Sequence, residues 1–336
     1  MDDIRPHLPE QPDRFVDQLR QSIRRRGLSF ATEKTYVHWA LRFVRQQGVR
    51  HPNTMGPAEV TAFLTHLAEH RHCAPATQRT ALNALVFLYE KHFEQSLGEL
   101  NFHYARRSPR MPTAFSHCEA QAVLAELKDA DHLIASLLYG SGLRLAEAIA
   151  LRVKDLDFAA LQITVRGGKG GNERFTLLPS SLTETLQRQI RRVASLHQYD
   201  LDSGYGEVYL PDALAEKYPS AAKSLAWQFV FPSRDIGMDP RSGVLRRHHR
   251  HHSSVQRAVA RAIRASGFSR RASCHTFRHS FATRLIETGY DIKLVQSLLG
   301  HRDIRTTEVY LHIVKNRAGS IVSPLDRNLS HVATAG

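Results

Sequence analysis

Three stretches in the first hundred residues repeat apolar positions at the spacing of an α-helix. Tyr36, Trp39, Ala40, Phe43 and Val44 fall at i, i+3, i+4, i+7 and i+8; Val60, Phe63, Leu64, Leu67 and Ala68 repeat the series; Leu82, Leu85, Val86 and Tyr89 give a third face. Gly48, Gly56-Pro57 and Pro75 punctuate these stretches, each proline near a helix start, where its missing N–H costs little. A polar lead of about ten residues precedes them, so a helical domain is placed at 11–100. Residues 101–115, with Arg106, Arg107, Pro109, Arg110 and Pro112, lose the periodicity and read as a basic linker, either lying along phosphates or simply solvated.

A second domain, 116–326, is mixed. Helices are expected at 117–129, 131–141 and 144–151. The alternating run Gln162-Ile163-Thr164-Val165-Arg166, a glycine-rich turn at 167–171 and Arg174-Phe175-Thr176-Leu177-Leu178 then predict a β-hairpin. Helix returns from 180, interrupted by an irregular stretch at about 200–245. The expected fold is mainly α with a small β-hairpin or sheet: an N-terminal helical domain followed by a larger α+β domain.

Composition narrows the partner. Apolar residues make up 42% and charged residues 23%, as in ordinary globular chains, but the net charge of +14 and pI near 10.0 suit a polyanion better than a small neutral substrate. No apolar run reaches the ~20 residues that span a bilayer, and the opening Met1-Asp2-Asp3-Ile4-Arg5-Pro6 lacks the apolar core of a signal peptide, so a soluble cytoplasmic protein without a membrane partner is expected. Cys73, Cys118 and Cys274 form neither a C-x-x-C pair nor an even set, which argues for reduced thiols. The charge is uneven: from Pro240 to Ile286 there is no Asp or Glu, while eleven arginines occur. They would repel one another unless an anion, or acids from elsewhere in the fold, lay close, and DNA is the anion favoured here.

No H-E-x-x-H, EF-hand, paired-carboxylate or phosphate-loop motif appears, so neither a metal nor a nucleotide cofactor is expected. Four local patterns occur instead, each weak alone: Gly140-Ser141-Gly142-Leu143-Arg144-Leu145-Ala146-Glu147; Gly167-Gly168-Lys169-Gly170-Gly171; His275-Thr276-Phe277-Arg278-His279; and Gly300-His301 running to Thr306-Thr307-Glu308-Val309-Tyr310. Together and in this order they resemble the tyrosine recombinase (phage integrase) family, over about residues 11–326. The resemblance implies a core-binding domain followed by a catalytic domain, and an enzyme that cuts and rejoins DNA through a 3′-phosphotyrosyl bond at Tyr310, with no cofactor.

By the same resemblance Arg144 and Arg278 clamp the phosphate, as guanidinium forks suit its oxygens. Glu147 orients Arg144; His275 donates to the phosphate or assists proton transfer at the nucleophile; Lys169 is the acid for the 5′-oxygen; His301 bonds the transition state. Outside that context Tyr310 reads as a buried aromatic and the Lys169 segment as a plain tight turn. Apolar Ile321, Val322 and Leu325 suggest a docked tail, exchanged between neighbours in a tetramer on DNA or folded onto its own chain.

An extra segment at about 200–249, with Trp227-Gln228-Phe229-Val230-Phe231-Pro232 and Asp239-Pro240-Arg241, looks like that of integron integrases, which act on duplex integration sites and on folded single-stranded cassette sites with bulged bases. In that resemblance Trp227, Pro240, Arg246, Arg247, His248 and His249 contact DNA, the aromatic rings by stacking. By itself Trp227 reads as a core tryptophan, and His248, His249, His251 and His252 offer a metal cluster as the alternative to a DNA-facing patch. A Xer-like or phage-type recombinase on duplex sites, a topoisomerase-like enzyme and a DNA-binding protein without chemistry are the competing readings.

Overall fold

The computed structural model describes residues 7–105, 113–166, 173–210, 212–239, 242–301 and 303–317. Two compact units partition the chain, residues 1–110 and 111–336. Lys169, Pro240, the linker residues Arg106, Arg107, Pro109, Arg110 and Pro112, and the tail beyond Arg317 lie outside the described residues.

The N-terminal unit is built of α1 (Phe15–Arg25), α2 (Phe30–Gln46), α3 (Pro57–Glu69) and α4 (Pro75–Val86), the last running on through a π-helical turn at Phe87–His92. Both prolines occupy a first-turn position, as their punctuation predicts. The core gathers Trp39, Phe43, Phe63, Leu64, Leu85 and Tyr89. Helix α1 is an addition to the sequence reading: only Leu19 and Ile23 are fully buried, with Phe15 and Val16 partly buried against the same core. Its polar residues tie it down as well, since Arg24 makes two 2.9 Å bonds to the buried Glu33 of α2.

The second unit opens with α5 (His117–Ala125), α6 (Asp129–Gly140) and α7 (Leu145–Ile149). The helix expected over 117–129 stops at Ala125, and Asp129 adopts a left-handed φ of 48° where α6 begins. A three-stranded antiparallel sheet follows, β1 (Leu156–Asp157), β2 (Gln162–Val165) and β3 (Arg174–Leu177) in that order. β2 and β3 form the expected hairpin, with Val165 opposite Arg174, while the two-residue β1 is too short to leave a periodic signal. Next come α8 (Thr183–Asp202), α9 (Asp212–Lys217), the two-residue ladder β4 (Gly237–Met238) and β5 (Leu245–Arg246), α10 (His252–Ala265), α11 (Cys274–Glu287), α12 (Ile292–Leu299) and α13 (Arg305–Arg317). The segment around α9 has a satellite core of Val208, Leu210 and Phe229. The main core packs α6 and α11 around Leu137, Leu138 and Phe277, and a smaller cluster seats Tyr310 among Phe281, Ala282, Val295 and Leu299.

Gly142 ends the α6–α7 turn at φ 64°, and a Cβ there would lie 2.3 Å from Phe281 of α11. Its carbonyl accepts a bond from Arg278. Gly142→Ala combines left-handed strain with overpacking and is expected to destabilise the second unit by about 2–4 kcal/mol. Urea unfolding monitored in that unit checks this, and an unchanged midpoint contradicts the packing described.

Candidate active site

Glu147 is the hub. It lies in the first turn of α7, where its Oε2 accepts the backbone N–H of Arg144 at 2.8 Å and caps the helix. Its Oε1 accepts from the Arg144 guanidinium at 2.7 Å. Arg174, the first residue of β3, donates to both carboxylate oxygens at 2.9 and 2.7 Å and through Nε to the carbonyl of Leu298 at 3.1 Å. Arg278 of α11 stands 3.9 Å from the same carboxylate. Burial alone would raise the Glu147 pKa, but the bonds from Arg174 and from the Arg144 backbone outweigh it and bring it down to about 2. Three guanidiniums and one carboxylate leave two positive charges uncompensated within this group, a setting for a phosphate.

Arg278 is 1% exposed. Its two terminal nitrogens donate to the carbonyls of Gly142 and Leu299 and to His301 Nε2, the last at 3.2 Å. Burial, followed by the nearby Arg144, lowers its pKa to about 10, so it stays charged at neutral pH. The arms differ: Arg144 keeps 42% of its side chain exposed, whereas Arg174 keeps 14%.

His301 follows Gly300, the left-handed cap of α12 at φ 64°. A guanidinium only donates, so His301 Nε2 accepts from Arg278, and the proton rests on Nδ1, which donates to Thr307 at 2.9 Å. Burial, then the surrounding arginines, lower its pKa to about 4. Tyr310 is 3% exposed, its ring nearly parallel to that of His301 at 6.4 Å. Burial raises the phenol pKa against the opposing pull of Arg278 and Arg144, so the hydroxyl is protonated at rest.

The structure adds a histidine beside Tyr310 that the sequence motifs did not single out. The residue bonded to Tyr310 is His279, whose Nδ1 lies 2.9 Å from the phenol oxygen, and not His275. His275 sits in the first turn of α11, exposed, with its ring 4.4 Å from that of His279. One helical turn separates the two, and only the second faces α13. Arg174 and His279 escaped the sequence reading; Arg174 passes for an ordinary strand residue, and His279 for a neighbour of the more recognisable Arg278.

The described residues of the extra segment that were expected to contact DNA, Trp227, Arg246, Arg247, His248 and His249, have partners within the protein. Arg247 forms a two-pronged pair with the buried Asp200 at 2.6 and 2.7 Å, and Arg246 bonds Asp239 at 3.2 Å. Arg250 pairs with Asp131, Arg270 with Glu119 and Arg284 with Glu287. Acids outside the acid-free span, the alternative to bound DNA that the sequence left open, thus pair with part of it. Trp227 is half-buried against the Val208, Leu210 and Phe229 cluster, with the Lys154 ammonium 2.9 Å from its ring centroid. It is neither a sealed core residue nor an open stacking face. His248 and His249 are half-buried, their rings 4.0 Å apart and packed on Phe229. Among the described residues no group of three His, Cys, Asp or Glu side chains is placed to hold a metal ion. Cys274 is buried, and burial pushes its thiol up to about 11, so it is a packing residue.

The Phage integrase family profile matches residues 113–317, and that of the phage integrase N-terminal SAM-like domain matches residues 15–99. The chain belongs to the phage integrase family. It is thus a tyrosine recombinase, an enzyme of site-specific DNA recombination with a SAM-like N-terminal domain and a catalytic domain. An "Integrase/recombinase" of Escherichia coli is 44% identical over 322 residues, 96% of either chain. Tyrosine recombinase XerD of Listeria monocytogenes is 26% identical over 91% of this chain and 95% of its own. Among solved structures, a Tn1549 transposon integrase in complex with transposon right end DNA matches with a TM-score of 0.61 at 15% identity, covering 94% of this chain and 98% of that one. A lambda integrase dimer bound to a COC′ core site gives 0.60 at 17%, covering 92% and 98%. These likenesses establish the shared fold. No helix among the described residues is long and apolar enough to cross a membrane.

The two depressed imidazoles make stability pH-dependent. His279 is lowered to about 4, by burial first and then by His275, Arg278 and His301, and His301 is likewise lowered to about 4 from the usual 6.5. The unfolded chain then takes up these protons before the folded one. Stability held above pH 6.5 should be lost as pH falls towards 4, and a His279→Asn, His301→Gln double variant should lose less over that window. Urea midpoints from pH 7.5 to 4 check this; parallel profiles for the two proteins would count against buried neutral imidazoles.

Proposed function

We propose that this recombinase cleaves DNA through Tyr310 and that it recombines gene cassettes as an integron integrase. The cleavage reading rests above all on one observation: Arg144, Arg278, His301 and Tyr310, drawn from four separate elements, are linked in one carboxylate-braced cluster of excess positive charge. The scissile phosphate seats between the fixed fork of Arg278 and the exposed arm of Arg144. His301 gives up its acceptor role towards Arg278 and, once the phosphate has raised its proton affinity, donates to a non-bridging oxygen. His275, exposed at the helix start, reaches the same phosphate. Lys169 supplies the proton for the departing 5′-oxygen; support comes from Arg174, which roots one arm of its hairpin on Glu147. The phosphotyrosyl bond conserves the energy of the cut for rejoining, so no nucleotide cofactor is required.

The cassette reading rests on the extra segment, which carries a core of its own and presents Trp227 at its edge. An extruded base would stack on that ring once Lys154 swings away, with His248 and His249 in the same segment, and a tetramer would hold a duplex integration site and a folded cassette strand together. The covering ammonium favours a second reading, a Xer-like enzyme on duplex sites, because it leaves the indole face occupied.

A nicked synthetic cassette hairpin separates them. The wild-type chain should form a covalent adduct and bind the bulged hairpin more tightly than its fully paired counterpart; Tyr310→Phe should form none while keeping its DNA affinity. Trp227→Ala should cost about 1–3 kcal/mol of binding on the bulged strand and little on duplex. Equal losses on both DNAs with a lower melting temperature would return Trp227 to packing, and a preference for duplex would favour the Xer-like enzyme.

A further inference from the structure

We propose that His279 is a catalytic residue of this recombinase: it takes the phenolic proton of Tyr310 as the phosphotyrosyl bond forms and returns it when the strand is rejoined. The inference rests on Tyr310 being the nucleophile and assigns the fate of its proton.

Geometry carries the argument. His279 Nδ1 lies 2.9 Å from the Tyr310 oxygen, the atom that must lose its proton to attack phosphorus. Helix α11 holds the imidazole by its own packing: the flanking Arg278 and Ser280 are both 1% exposed, Arg278 bonded to two carbonyls and Ser280 to the backbone of Thr276 and Phe115. The groups facing His279 are His275 and Arg278 on its own helix, His301 from the turn after α12 and Tyr310 on α13. None is a carboxylate, and burial together with these neighbours keeps the ring neutral; in the tautomer with its proton on Nε2, Nδ1 offers its lone pair to the phenol. The phenol is itself held protonated, so attack requires a proton acceptor. His275, the alternative suggested by sequence, is exposed and makes its ring contact to His279 rather than to the phenol.

The step balances. The Tyr310 oxygen forms a bond to phosphorus while its proton passes to His279 Nδ1, and the bond from phosphorus to the 5′-oxygen breaks, that oxygen taking a proton from a separate acid, here Lys169. In rejoining, the incoming 5′-hydroxyl gives its proton to the Lys169 amine, attacks phosphorus and expels the phenolate, which recovers its proton from the imidazolium. The phosphate entering beside His279 supplies the negative charge that raises the imidazole's proton affinity at the moment it must act.

Single-turnover adduct formation on a nicked DNA site, followed from pH 5 to 9 with the full-length chain, tests this. His279→Asn places an amide near the Nδ1 position, preserving a hydrogen bond to Tyr310 without a titrating nitrogen. It should bind DNA normally yet form adduct about 100-fold more slowly at pH 7, the usual scale of a lost general base, with a rate that climbs about tenfold per pH unit. Fluorinated tyrosine at position 310, whose phenol ionises more readily, should restore much of the loss in His279→Asn and change the otherwise native enzyme little. A positioning role alone would leave the pH profile unmoved. Adduct formation by His279→Asn within threefold of the native rate and with the native profile would overturn the proposal. Should that variant fail to fold, the native profile decides: it must show an acid limb from a group ionising in the imidazole range, and a flat profile between pH 5 and 7 overturns it. Adduct persisting in Tyr310→Phe would instead remove the nucleophile assignment, a distinct failure.

Discussion

A single half-buried carboxylate holds this catalytic domain to its task. Glu147 binds the guanidiniums of Arg144 and Arg174 directly and faces that of Arg278, groups contributed by α7, β3 and α11. Like charges this close repel strongly where water is scarce, so without the carboxylate the three would separate or drag in an unselected anion. With it, they are fixed and still over-charged, which is what a site for a phosphodiester needs before the DNA arrives. Arg174 extends the same brace to the end of α12, through the Leu298 carbonyl, and so places Gly300 and His301 relative to the hairpin.

Around this hub the titratable groups divide into permanent charges and neutral hydrogen-bonding groups. The cations are arginines, which do not lose their charge at working pH, whereas His279 and His301 are neutral and Tyr310 is protonated and 3% exposed. The Tyr310 ring is held against apolar side chains of α11 and α12. A phosphate would change the balance at every one of these groups in the same direction, favouring imidazolium and drawing the arginine forks onto its oxygens.

Much of this could be read from sequence, for identifiable reasons. Helices α2, α3 and α4 present unbroken apolar stripes, and the sequences of strands β2 and β3 alternate, so their periods survive in the chain. Glu147 beside Arg144 is a local pair, one turn apart, and was legible for that reason. Arg174 was not, because its partners lie 27 and 124 residues away and nothing local marks a strand arginine as buried. The arginines after Pro240 misled in the opposite sense: a window without acids looks uncompensated, yet Asp200, Asp131 and Glu119 come back to it through the fold. Trp227 lies between the two sequence expectations, since its half-buried ring is roofed by a lysine 73 positions earlier in the chain.

The most direct test of the organising role of Glu147 is to remove its charge while keeping its shape. In Glu147→Gln, DNA affinity should stay level or rise, because a negative charge has left a basic site, while single-turnover formation of the covalent adduct should fall about 100-fold as the arginine forks lose their shared anchor. Adduct formation at the native rate in this variant would contradict the account.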